Sequence, residues 1–131
     1  MTTNKPRSAS YLSPHQMHRL DLACNPVRNA FPSFGPYLVG SVNKRADYRD
    51  VDVRVILNDK AFDKMFGKGV ADDRGEAHGN PRWQLICAAL SQWVGEVSGL
   101  PVDFQIQRQT EANVAYKGEF RNPLGVRVMS Q

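Results

Sequence analysis

From Asp50 to Leu57 the chain alternates: Val51, Val53, Val55 and Leu57 fall on one side, Asp50, Asp52, Arg54 and Ile56 on the other. Successive side chains of an extended segment leave opposite faces, so this pattern predicts a β-strand with one face turned to a core. Val102, Phe104 and Ile106 alternate with Asp103, Gln105 and Gln107 in the same way and predict a second strand. Tyr37-Leu38-Val39, ending at Gly40, is a short apolar run consistent with a buried strand. Elsewhere the period lengthens. Trp83, Ile86, Cys87, Leu90, Trp93, Val94 and Val97 recur at spacings of three and four, the stripe of an amphipathic helix. Asn80 and Pro81 suit its start, and Gly99 with Pro101 its end.

Ser13-Pro14-His15-Gln16 combines an N-cap serine, a proline in the first turn and a capping-box glutamine. The helix it opens carries Met17, Leu20 and Cys24, and Asn25-Pro26 is expected to stop it, because the residue before a proline avoids the helical region. Asn58 or Asp59 can cap a short helix through Phe66, closed by Gly67. Residues 29–36 are a turn-rich connector, and the glycine-rich, charged stretch 67–80 reads as a mobile loop. From Thr110 the pattern suggests a short helix and then a strand near Leu124–Val128. Residues 1–12 read as a flexible leader and 13–131 as one domain. The predicted architecture is α+β, a small mixed β-sheet with helices packed on one face.

Composition narrows this little. A chain of 131 residues can bury one core without metal or disulfide staples. Lys and Arg outnumber Asp and Glu by 17 to 13, a formal charge of +4 that favours anionic partners. It leaves open a basic nucleic-acid binder, although only Lys44, Arg45 and Arg49 cluster. No apolar run reaches the roughly 20 residues of a membrane span, and the polar start lacks a secretory leader, so a cytoplasmic protein without a membrane partner is expected. Cys24 and Cys87 lie among apolar residues without metal-ligand spacing and read as buried free thiols. His15, His18 and His78 lack such spacing too. Trp83 and Trp93 read as core or interface, and Asp72 and Asp73 as solvent-facing.

The polar strand faces carry the chemistry. Asp50 and Asp52 leave one face of their strand roughly 7 Å apart. If the strand bearing Asp103 is its neighbour, three carboxylates converge on one patch. Such clustering penalises the charged forms, and divalent cations relieve it. Upstream, Gly40-Ser41 ends a strand in a turn where a phosphate can approach the backbone closely. Lys44, Arg45 and Arg49 lie between this turn and the acids and can neutralise a triphosphate.

Taken together, "YLVGSVNKRADYRDVDVRVIL" resembles the signature of the DNA polymerase β-like nucleotidyltransferase superfamily: a strand, a Gly-Ser pair, a variable run, then Asp-x-Asp in an apolar strand. Eight residues separate Ser41 from Asp50, and "LPVDFQIQ" supplies Asp103 where the family has its third carboxylate. The resemblance covers residues 37–107 and is nearest to the minimal, single-domain members. It implies a nucleotidyltransferase fold and an enzyme of phosphorus-group transfer, with two Mg2+ ions held by Asp50, Asp52 and Asp103 and with Asp103 as base. It further implies nucleotide phosphates, such as those of ATP, at Gly40, Ser41, Lys44, Arg45 and Arg49. A nucleoside monophosphate would pass from a nucleoside triphosphate to a hydroxyl acceptor, which is a protein, a nucleic acid or a small molecule. The alternative is a catalytically inactive module of the same fold that binds a protein partner, as in a toxin–antitoxin pair, since a separate acceptor-binding domain is missing.

Overall fold

A computed structural model describes residues 10–125. Helix α1 spans Pro14–Ala30, strand β1 Tyr37–Val39, β2 Val51–Leu57, α2 Asp59–Phe66, α3 Pro81–Ser98, β3 Val102–Arg108, α4 Gln109–Ala115 and β4 Asn122–Pro123. The four strands form one sheet in the order β3-β2-β1-β4. β1 runs antiparallel to both of its neighbours, whereas β2 and β3 are parallel. The fold is therefore α+β with a mixed sheet and helices packed upon it.

Local chemistry explains most element ends. The Ser13 hydroxyl accepts from the Gln16 N–H at 3.1 Å and the Gln16 side chain accepts from the Ser13 N–H at 2.8 Å, a complete capping box. Asn58 caps α2 through Ala61 N–H, and Asn80 caps α3 through the N–H groups of Arg82 and Trp83. One expected stop fails: α1 continues through Pro26 to Ala30. Proline removes one helical hydrogen bond, to the carbonyl four residues back at Leu22. Leu22 and Pro26 both lie on the exposed side, where water can serve that carbonyl, while Val27 on the next turn is buried in the core. Burial of Val27, about 1.5–3 kcal/mol, offsets part of the roughly 3 kcal/mol that an interior proline costs.

The apolar face of the sheet carries Val51, Val53, Val55, Phe104 and Ile106, all buried against a layer in which α3 lies on β3 and α1 on α3. Trp83 reaches from α3 to donate its indole N–H to the Ile106 carbonyl at 2.8 Å. Cys24 and Cys87 are free and buried, and burial pushes their thiols up to about 12 and about 11. Tyr11 and Leu12, assigned to the leader, belong to the folded part: Tyr11 N–H donates to Val42 and Leu12 is buried. Of the strand expected near Leu124–Val128, residues 126–128 lie outside the described residues; the final strand found is the shorter β4 just before it.

The alternation in β2 predicted a strand with one wet face. Arg54 and Ile56 on that face are nevertheless buried. The 67–80 segment explains this. Instead of standing clear of the sheet, it is tied down: Arg108 N–H donates to the Gly75 carbonyl at 2.8 Å, and Gly75, Glu76 and Ala77 are buried. A Cβ on Gly75 would stand 2.6 Å from the Arg108 carbonyl oxygen, so only glycine permits this approach.

Candidate functional site

Strand register builds the site. Val39 at the end of β1 is paired with Asp52, and Asp52 is paired across the parallel ladder with Asp103. The two aspartates therefore leave the same face side by side. At Gly40 the chain turns with φ +82, and a Cβ there would overlap the Asp52 carboxylate. Glycine is required twice over, for the backbone angle and for the space. Gly40, Asp52, Arg54 and Asp103 form the floor of a cleft of about 480 Å³. Lys44, Arg74, Glu76, His78, Gln105, Gln107, Tyr116, Glu119 and Arg121 also line it.

Arg54 stands between the acids. Its Nη1 donates to the carbonyls of Val53 at 3.0 Å and Asp103 at 2.6 Å. Its Nη2 lies 3.7 Å from Asp52 Oδ1 and 3.6 Å from Asp103 Oδ2. Even so, Asp52 is held above the ordinary aspartate range. Burial is the main cause; Arg54 opposes it, and the charges of Asp103, Asp50 and Glu76 add to it. Burial thus outweighs the neighbouring guanidinium at Asp52.

Beside this pair lies a buried carboxylate that the sequence pattern did not single out. Glu76 accepts from the Gln107 amide at 2.8 Å and pairs with His78 Nε2 at 2.9 Å. The Gln105 amide, with its nitrogen toward Glu76, donates at 2.6 Å. The His78 ring packs edge-on against Trp83, centroids 4.7 Å apart. Among the described residues, Asp72, Glu76 and His78 bring ligand atoms within 4.8 Å of one another. Their closeness has an internal explanation. Asp72 Oδ1 already accepts the N–H groups of Arg74 and Glu76, closing the loop, and Glu76 is occupied by the two glutamines and the histidine. Asp72 itself is exposed, as is Asp73.

The remaining candidates separate. Asp50 precedes β2 in a bend and is exposed; it does not line the cleft, although its charge reaches Asp52. Asp50, Asp52 and Asp103 are not gathered as tightly as the Asp72 trio. Ser41 lies in a short 3-10 turn, where its carbonyl accepts from Lys44 and Arg45 N–H. Lys44 lines the cleft and pairs with Glu119 at 2.6 Å. Arg45 pairs with Asp47 at 3.3 Å, and Arg49 is exposed; neither lines the cleft. Arg54 could have been found in the alternation, which puts it on the Asp52 face. Nothing in the local pattern marks Glu76, because only the docking of its loop brings it to the sheet.

Compared with protein-family models, curated proteins and solved structures, the chain matches none. Among the described residues no helix is long and apolar enough to cross a membrane.

Proposed function

We infer that this chain is a magnesium-dependent nucleotidyltransferase of the DNA polymerase β-like kind, transferring a nucleoside monophosphate from a nucleoside triphosphate to a hydroxyl acceptor. The observation that carries the reading is the row Gly40, Asp52, Asp103: a glycine turn packed against one carboxylate, with a second beside it across the parallel ladder. The donor set suits a hard divalent cation, because both groups offer carboxylate oxygens and burial penalises the ionised form of Asp52 more than Arg54 relieves it. Asp52 and Asp103 would hold it, with Asp50 contributing through its charge from outside the cleft. Magnesium, when bound, would supply charge stabilisation at the transferring phosphoryl group.

The protein's own groups do the rest. Gly40 would lie beside the phosphate chain, and Lys44, Arg74 and Arg121, which line the cleft with it, would offset the chain's charge. The acceptor oxygen bonds to the α-phosphorus, the bond to pyrophosphate breaks with its electron pair leaving on pyrophosphate, and an Asp103 oxygen takes the hydroxyl proton.

One observation favours a second reading. Arg54 already places a permanent positive charge beside both aspartates, as expected of a non-catalytic module that keeps the fold but works through a partner. Thermal denaturation of the purified chain with ATP, with and without Mg2+, separates the two. A rise in Tm that requires both supports the enzyme; no rise, together with a stable heteromer on size-exclusion chromatography, supports the module.

A further inference from the structure

Arg54 bonds to the main chain and only faces the acids. Nη1 is committed to the Val53 and Asp103 carbonyls at 3.0 and 2.6 Å, which anchors the guanidinium. Nη2 is then held 3.7 and 3.6 Å from Asp52 and Asp103, close enough for charge attraction but beyond hydrogen-bond length. Neither carboxylate accepts a hydrogen bond from another described residue, so their lone pairs remain available. Arginine cannot shed its proton to make room for another cation. The floor of the cleft therefore combines open carboxylate oxygens with a fixed positive charge that repels any metal ion seeking them.

We propose that Arg54 makes divalent-cation binding in this cleft conditional on an anionic polyphosphate. The ligand class rests on the nucleotidyltransferase reading; the coupling rests on the geometry of Arg54. A metal ion alone meets two carboxylates already part-neutralised. A polyphosphate alone meets two carboxylates that repel it. Together each relieves the other's penalty, because the phosphate oxygens satisfy both the ion and the guanidinium. Such coupling is reciprocal: the metal tightens the polyphosphate by the factor by which the polyphosphate tightens the metal. Wasteful occupation of the acids by free metal is thereby avoided, and the site assembles only with its substrate.

The test is calorimetric titration of the full chain with Mg2+ alone, inorganic tripolyphosphate alone, and each in the presence of the other, in wild type and in Arg54→Gln. Wild type should bind Mg2+ weakly by itself and much more tightly with tripolyphosphate present. In Arg54→Gln, Mg2+ alone should bind roughly tenfold or more tighter than in wild type, since a nearby unit charge of repulsion is gone, and the coupling should shrink. Equal affinity for Mg2+ alone in the two proteins overturns the proposal and leaves the nucleotidyltransferase reading standing. A wild type that binds neither Mg2+ nor the pair of ligands, with Arg54→Gln equally inert, overturns both. Arg54→Lys keeps the charge and should keep the coupling; loss of coupling in both variants alike traces it to side-chain shape and overturns the proposal. Should Arg54→Gln fail to fold in EDTA, Mg2+ is expected to restore its cooperative thermal transition, and no rescue counts against the proposal.

Discussion

Two arginines on the sheet sit among carboxylates and are used in opposite ways. Arg108, at the end of β3, is matched to its acids: Nε and Nη2 donate to the two oxygens of Asp63 at 2.9 and 3.2 Å, and Nη1 donates to both oxygens of Glu111 at 3.0 Å. These bonds push its pKa above the ordinary arginine value. Every partner there is consumed, and the cluster ties α2, β3 and the start of α4 together. Arg54 gives its hydrogen bonds to carbonyls and leaves Asp52 and Asp103 at ion-pair distance with their oxygens open. A closed network of charges holds a structure together, whereas an open one of the same residue types leaves acceptor oxygens without a hydrogen bond. The difference lies in bonding geometry, since the two clusters share their chemistry.

The sharpest way to break the contrast is Asp52→Asn. It should abolish Mg2+-dependent nucleotide turnover, read as pyrophosphate release, while the fold persists. Wild-type rates in this variant would reduce the open cluster to another surface ion pair. Gly40→Ala should come next. A side chain at φ +82 strains the backbone by about 1–3 kcal/mol, and its Cβ competes with the Asp52 carboxylate for the same space. Urea denaturation should show that loss together with weakened nucleotide binding. Equal stability to wild type would mean that the turn and the acid are not packed as described.

Arg108→Gln is the control from the closed cluster. It should lower Tm by a few degrees, through the loss of its bonds to Asp63 and Glu111, and leave the response to Mg2+ and nucleotide unchanged. A variant that loses nucleotide response as completely as Asp52→Asn would erase the distinction between the two arginines.

How far the sequence foretold this can be judged at particular residues. The period-2 runs in β2 and β3 put Asp52 and Asp103 on polar faces, and the apolar faces of both strands then had to share one core. A shared core did not make the strands neighbours, since β1 lies in the same sheet without pairing with β3; the pairing of Asp52 with Asp103 came from the structure. Arg54 was visible on the right face, but whether it bonds acids or carbonyls depends on distances of tenths of an ångström, which no pattern encodes. Glu76 was out of reach. Its loop looks polar and unrestrained, and only the close approach of Gly75 to Arg108 turns it onto the sheet. Pro26 misled for a related reason: whether a proline ends a helix depends on the burial of the turn that follows, which here favours continuation.

The smallest expected effect is the most diagnostic, because it has the opposite sign to the activity loss. Asp52 is held above the ordinary aspartate value, chiefly by burial and further by Asp103, Asp50 and Glu76, with Arg54 only partly compensating. A carboxyl whose pKa is raised on folding binds its proton more tightly in the native state. The stability it contributes is complete below the unfolded value near 3.8 and is lost as pH rises through the raised value. At neutral pH without metal, ionised Asp52 is therefore a cost to the fold. Asp52→Asn should raise Tm modestly at pH 7 in EDTA, and the gain should fade as the pH drops toward 3.8 and the wild-type carboxyl becomes protonated. Thermal melts across that range check it. A variant less stable than wild type at pH 7, or a gain that grows on acidification, would make Asp52 a structural acid like Asp63, serving the fold instead of a ligand.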